Sequence, residues 1–134
     1  MNKTLIDKLA YIEIKNKKLL VTLSRGKDTW YIPGGKREQD ETDKQALIRE
    51  VREELTAHLL ADSVTKYGVF EAQAHGKPEG TIVRMICYMA KYSGNLQPSS
   101  EIERIAYFHY GQKHACSPVD HLIFDDLKKK ELID

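Results

Sequence analysis

The sequence predicts one α/β domain in which a mixed β-sheet is combined with two principal helices. Three observations predict it. Two stretches, Thr42 to Leu55 and Ser117 to Lys130, carry apolar residues at helical spacing behind capping residues. Strand-like runs bounded by turn residues fill the chain before and between them. The length of 134 residues suits one hydrophobic core and is short for two, and no linker, repeat or low-complexity segment divides residues 1–134.

Leu9 to Lys15 alternates, with Ala10, Ile12 and Ile14 on one face, and Lys18 to Ser24 resumes the apolar run after Lys15-Asn16-Lys17, so the two read as a hairpin. Arg25-Gly26-Lys27-Asp28 is a polar loop. Trp30-Tyr31-Ile32 reads as a short strand broken by Pro33-Gly34-Gly35, a turn where backbone can approach a ligand closely. Asp40, Glu41, Thr42 and Asp43 supply candidate caps and favourable negative charge at the start of the first helix. Val64 to Ala74 and Thr81 to Tyr92 are strand-like and are joined by turn residues, His75-Gly76-Lys77-Pro78-Glu79-Gly80, as a second hairpin. Ser93 to Ser100 is a loop, and Ile102 to Tyr110 a further strand. The last helix starts at Ser117-Pro118, Ser as cap and Pro in the first turn, and ends at Lys128-Lys129-Lys130 against its own carbonyl dipole.

On the first helix Glu50, Glu53 and Glu54 stand three and four residues apart, so the spacing projects three carboxylates from neighbouring points of one side. Like charges so placed cost roughly 0.2–0.5 kcal/mol per pair on an exposed helix, and a structural helix has no reason to concentrate them. A divalent cation reverses the sign of that cost, and hard oxygen ligands suit Mg²⁺ or Mn²⁺. Leu47, Ile48, Val51 and Leu55 occupy the adjoining arc, which packs the helix on a core and holds the acidic side at its edge.

With 21 basic residues against 20 acidic, the net charge of +1 argues against a general attraction to nucleic acid or to anionic membrane, so any phosphate binding is local. No apolar run approaches membrane-spanning length and the opening residues lack a signal-peptide core, which makes the cytoplasm the expected compartment. Cys87 and Cys116 lack metal-type spacing and read as buried or incidental thiols. The five histidines are scattered without ligand spacing.

The stretch from Gly35 to Ala57 resembles the signature box of the Nudix hydrolases: Gly35, Glu41, Arg49, Glu50, Val51, Glu53 and Glu54 match in register, while Thr56 stands where the family has Gly and Ala57 where it has a larger aliphatic. The resemblance implies an α/β/α sandwich and a Mg²⁺-dependent hydrolase, with Mn²⁺ as a possible substitute, that cuts a phosphoanhydride in a nucleoside diphosphate linked to another group. Size resembles the MutT-like members, which implies a nucleoside triphosphate or an oxidised nucleotide. ADP-ribose, dinucleoside polyphosphates and nucleotide sugars are alternatives, as is a regulatory nucleotide-binding domain without hydrolysis. By the same carry-over Glu50, Glu53, Glu54 and the Gly34 carbonyl are metal ligands, Glu53 or Glu50 accepts the water's proton, Arg49 orients a catalytic carboxylate and Glu41 steadies the loop. The partner is a small nucleotide, the chain a monomer or homodimer, with no stable nucleic-acid or membrane binding. Arg25, Lys36, Arg37 and Arg84 are candidate phosphate contacts. Arg84 interrupts Ile82-Val83-Arg84-Met85-Ile86, opposite Val83, on a face that could line a cleft. Asp120 is a candidate reader of a base edge, with a sufficient structural alternative in the helix dipole. Glu101 and Glu103 are candidates for an extra carboxylate, though an exposed strand start explains them more simply.

Overall fold

A computed structural model describes residues 4–134. In chain order it contains β1 (Thr4–Tyr11), β2 (Ile14–Lys15), β3 (Lys18–Ser24), β4 (Gly34–Gly35), α1 (Asp43–Leu55), β5 (His58–Leu59), β6 (Thr65–Gln73), β7 (Thr81–Met89), β8 (Tyr92–Ser93), β9 (Ile102–Phe108) and α2 (Pro118–Lys129). A mixed sheet runs β4-β1-β7-β6, with β1 and β7 parallel and the other pairs antiparallel. A second sheet runs β2-β3-β9, and β5 pairs with β8 alone.

The C-terminal end of β1 is buried on both faces, because each face there meets a different helix. Leu9 and Tyr11 pack with Leu47, Val51 and Leu55 of α1, whereas Ala10 and Ile12 pack with Val119, Ile123, Phe124 and Leu127 of α2. Leu9, Ala10 and Tyr11 are consequently all at 0% exposure. Full burial of an aliphatic side chain of this kind is worth about 1.5–3 kcal/mol, so these two layers hold the sheet from either side. Cys87 and Cys116 are free and buried.

The first expected hairpin is corrected. Leu9 to Lys15 is not one strand: its first part belongs to β1, which begins at Thr4 and pairs with β7, and only Ile14 and Lys15 turn back on β3 through Asn16 and Lys17, both at positive φ. Alternation cannot separate the two, since the break at Ile12-Glu13 interrupts no hydrophobic pattern. Trp30 and Tyr31 form isolated bridges to Cys116 and Thr22 rather than a strand. The second hairpin stands as β6 and β7, with a register shift at Lys66 and Gly68. Tyr92, expected at the end of that strand, lies instead in β8.

Both ends of α1 are tied down. Thr42 accepts a hydrogen bond from the Gln45 amide at 3.2 Å while the Gln45 side chain accepts from the Thr42 amide at 2.9 Å, a reciprocal capping box. At the other end the Ser93 to Ser100 loop supplies the donors: Gln97 and Ser99 amides bond the Leu55 and Glu54 carbonyls, each at 2.9 Å. That loop leads directly into Glu101 and β9.

Candidate active site

β4 is only two residues long, yet it fixes the site. Leu9 pairs with Gly35 and Ala10 with Gly34, so the sheet edge presents a glycine pair to the side of α1. The Gly34 amide donates to Glu54 Oε1 at 3.1 Å. A Cβ on Gly35 would lie 2.7 Å from the Glu50 carboxyl carbon, so the Glu50 carboxylate rests in the space that a side chain would fill.

Arg49 is the centre of the acidic cluster. Its Nε and Nη2 donate to both oxygens of Glu41 at 2.7 and 2.8 Å, and its Nη1 donates to Glu50 at 2.9 Å and to Glu53 at 3.3 Å. Nη2 also bonds the Lys36 carbonyl at 3.1 Å, and Glu38 stands 3.2 Å from Nε. The planar fork thereby bridges the loop before α1 to two carboxylates on it. The Arg49 hydrogen bonds hold the Glu41 carboxyl down at about 2.

The three helix glutamates do not converge on one point. Glu53 is exposed, Glu50 is half-buried, and Glu54, one residue or about 100° further round the helix, turns inward and is 7% exposed. Among the described residues no three His, Cys, Asp or Glu side chains are grouped closely enough to hold a metal as they stand. Burial pushes the Glu54 carboxyl up to about 8, with Gly34 the main opposing influence. Glu101 lines one chamber with Glu54 and is itself held below the usual range, first by the Ser100 hydroxyl. Burial likewise raises Glu50. Two buried-edge carboxyls that resist ionising together, lined up with a backbone left open by glycine, are a donor set that a hard divalent cation fits.

Behind this cluster a cleft runs along the α2 side of the sheet. Its inner chamber, about 250 Å³, is lined by Lys8, Thr22, Tyr31, Gly34, Glu54 and Glu101 among others. A second, apolar chamber of about 160 Å³ adjoins it through Lys8, Tyr31 and Met85 and is walled by Ile6, Val83 and Val119. Asp120, next in the chain to Val119 of that wall, is buried at 0% exposure. Its Oδ2 accepts from the Ser117 hydroxyl at 2.9 Å and the Ile32 amide at 3.3 Å, while Oδ1 has no partner. Burial raises this carboxyl to about 7. Ser117, read as a helix cap, therefore spends its hydroxyl on Asp120 rather than on the helix amides.

The other sequence candidates are placed as follows. Lys36 is exposed at the end of β4. Arg25 donates to the Ser100 carbonyl and its amide to the Glu101 carbonyl, so it braces the loop that carries Glu101. Arg37 bonds Asp43 and Asp7 at 2.6 and 3.0 Å. Arg84 does lie opposite Val83, but on the α1 side of the sheet, 3.2 Å from Glu71 and away from the cleft. Glu103 is exposed. Lys8 and Tyr31 were not among the sequence candidates. A lysine in a strand reads as a solvated charge, and Tyr31 as part of a short strand.

Comparison with known proteins follows the same lines. The chain is similar to a MutT protein from Methanosarcina mazei, with 17% identity, a TM-score of 0.75 and 98% of each chain covered. It is similar to a MutT Nudix hydrolase from Burkholderia pseudomallei, with 20% identity, a TM-score of 0.67, and 81% of this chain and 86% of that one covered. A bifunctional NMN adenylyltransferase/ADP ribose pyrophosphatase from Francisella tularensis, complexed with AMP and Mn ion, matches at 22% identity and TM-score 0.65 over 96% of this chain and 42% of that one. No curated protein sequence matches significantly. The model of the NUDIX domain matches residues 9–121, a span that takes in the glycine pair, the Arg49 cluster and Asp120, and the chain belongs to the Nudix family.

Proposed function

We propose that the protein hydrolyses a phosphoanhydride bond in a nucleoside diphosphate linked to another group, a nucleoside triphosphate or oxidised nucleotide being the foremost substrate class. The observation that carries the reading is the union of Arg49 with Glu41, Glu50 and Glu53 beside a glycine pair, with Glu54 lining a chamber that adjoins the apolar one. Glu50, Glu53, Glu54 and the Gly34 carbonyl would hold Mg²⁺, or Mn²⁺ in its place, and Glu101, which lines the same chamber as Glu54, would join them. Such an ion neutralises phosphate oxygens and acidifies water when bound. Arg49 fixes the Glu50 and Glu53 carboxylates so that one of them can take the proton of the attacking water. Lys36 contacts phosphate, the apolar chamber takes the base, and Asp120 offers its free Oδ1 to a base edge.

The test is a panel of nucleoside triphosphates, oxidised nucleotides, ADP-ribose, dinucleoside polyphosphates and nucleotide sugars, assayed with Mg²⁺ for released phosphate, pyrophosphate or monophosphate. Absence of turnover on every class, with Mg²⁺ or Mn²⁺, overturns the proposal. In the active class Glu53→Gln is expected to lower kcat by about 10² or more while leaving thermal unfolding unchanged, since the side chain is exposed. An unaltered rate would remove Glu53 from the mechanism.

A further inference from the structure

Lys8 stands in a place that folding alone does not explain. Leu9 pairs with Gly35, and extending that antiparallel register by one residue sets Lys8, which lines the cleft, across from the exposed Lys36. Like charges directly opposite in such a ladder are destabilising. Burial disfavours the Lys8 ammonium first, and the Lys36 charge does so next. Asp120 and Glu54 attract it only through space, neither as a hydrogen-bond partner. A partly buried ammonium beside a second lysine, without a contacting carboxylate, is costly unless an anion completes it.

The position of Lys8 decides which anion. It lines both chambers, the one walled by Glu54, Glu101 and Gly34 and the apolar one walled by Val83, Met85 and Val119. It therefore occupies the junction between the carboxylate cluster and the nucleoside chamber. A base carbonyl would call for one donor, whereas a repelling pair of cations suits a group with net negative charge and several acceptors.

Resting on the hydrolase reading above, we propose that Lys8 binds the substrate phosphate nearest the nucleoside, closing with Lys36 a two-lysine clamp on it. Removing the ammonium weakens every nucleotide alike, whatever its base.

The test uses calorimetric binding of the adenosine, guanosine, cytidine and uridine monophosphates and of the matching nucleosides, without metal, to the wild type, Lys8→Met and Lys8→Gln. Loss of a charge-assisted contact is expected to weaken all four monophosphates by about tenfold or more. The nucleosides should be unaffected, and thermal unfolding should not fall, because Lys36 loses a like-charged neighbour. Weakening confined to particular bases, or shared by the nucleosides, overturns the clamp and makes Lys8 a base reader. Unchanged monophosphate binding with lowered stability overturns it in favour of a structural strut. Binding is read without turnover, so intact monophosphate binding in a chain that hydrolyses nothing fails the hydrolase reading and spares the clamp.

Discussion

A Cβ at Gly35 would press on the Glu50 carboxyl at 2.7 Å, the far end of a flexible side chain, so the chain can adjust and the carboxylate cannot stay where it is. Gly35→Ala is therefore expected to fold normally and to lose about tenfold or more in kcat, since small displacements of a catalytic group are felt strongly. Steady-state kinetics beside thermal unfolding checks both halves. At Gly34 the same methyl would lie 1.9 Å from the Leu9 carbonyl oxygen, on a residue at φ 146°, so Gly34→Ala should instead fail in folding. Individual residues differed in how legible they were. Arg49 and Glu41 are marked by the resemblance to the family's box, and the Arg49 Nε donates to Glu41 at 2.7 Å. Glu54 was grouped with Glu50 and Glu53 on one acidic side, but a rotation of one helix position carries it inward to Gly34. Helical spacing gives angular neighbourhood; what the opposite wall offers is set by another element.

At the scale of elements, the C-terminus of α1 is the informative departure. Thr56, which stands where the family has Gly, adopts φ 61° and ψ 0°, the left-handed conformation that costs a β-branched residue roughly 1–2 kcal/mol. Its hydroxyl recovers part of this by bonding the Asn95 carbonyl at 3.0 Å. Thr56→Gly removes the strain, the hydroxyl bond and some unfolded-state restriction together, so it is expected to be neutral or stabilising by up to about 1 kcal/mol. Thr56→Val keeps the strain and loses the bond, and should cost about 1 kcal/mol in thermal or denaturant unfolding. A clear loss of stability in Thr56→Gly would show that the Asn95 contact outweighs the strain. The helices and the β6–β7 hairpin were readable because caps and turns are local signals. The division of Leu9 to Lys15 between β1 and β2 was not, because alternation records faces and not partners.

The whole molecule responds to pH through groups that folding buries. Glu54 at about 8 and Asp120 at about 7 stand above their ordinary carboxyl values of 4.5 and 3.8, so between those limits the folded chain holds more protons than the unfolded one. Stability of the metal-free protein then falls as pH rises toward 8, by an amount on the order of a few kcal/mol. Glu41, held at about 2, acts in the opposite sense and loses its contribution only as acid takes the pH below 4.5. Thermal unfolding between about pH 5 and 8 should show the decline. Glu54→Gln should flatten it, and Mg²⁺ should raise the curve most at the alkaline end, where the carboxylate it would bind is ionised. An unchanged slope in Glu54→Gln would exclude Glu54 as its source. No described helix is long and apolar enough to cross a membrane. The sequence by itself determined the two helices, the glycine turn, the Arg49 cluster and through them the family, because caps, turns and fixed spacings act over a few residues. Only the tertiary structure decided that β1 runs parallel to β7 between two helical layers, that Glu101 and Glu54 line one chamber, that Arg84 leaves the cleft, and that Lys8 lines both chambers. Those are meetings of residues far apart in the chain, set by which strands pair and which faces are covered, and no local pattern encodes them.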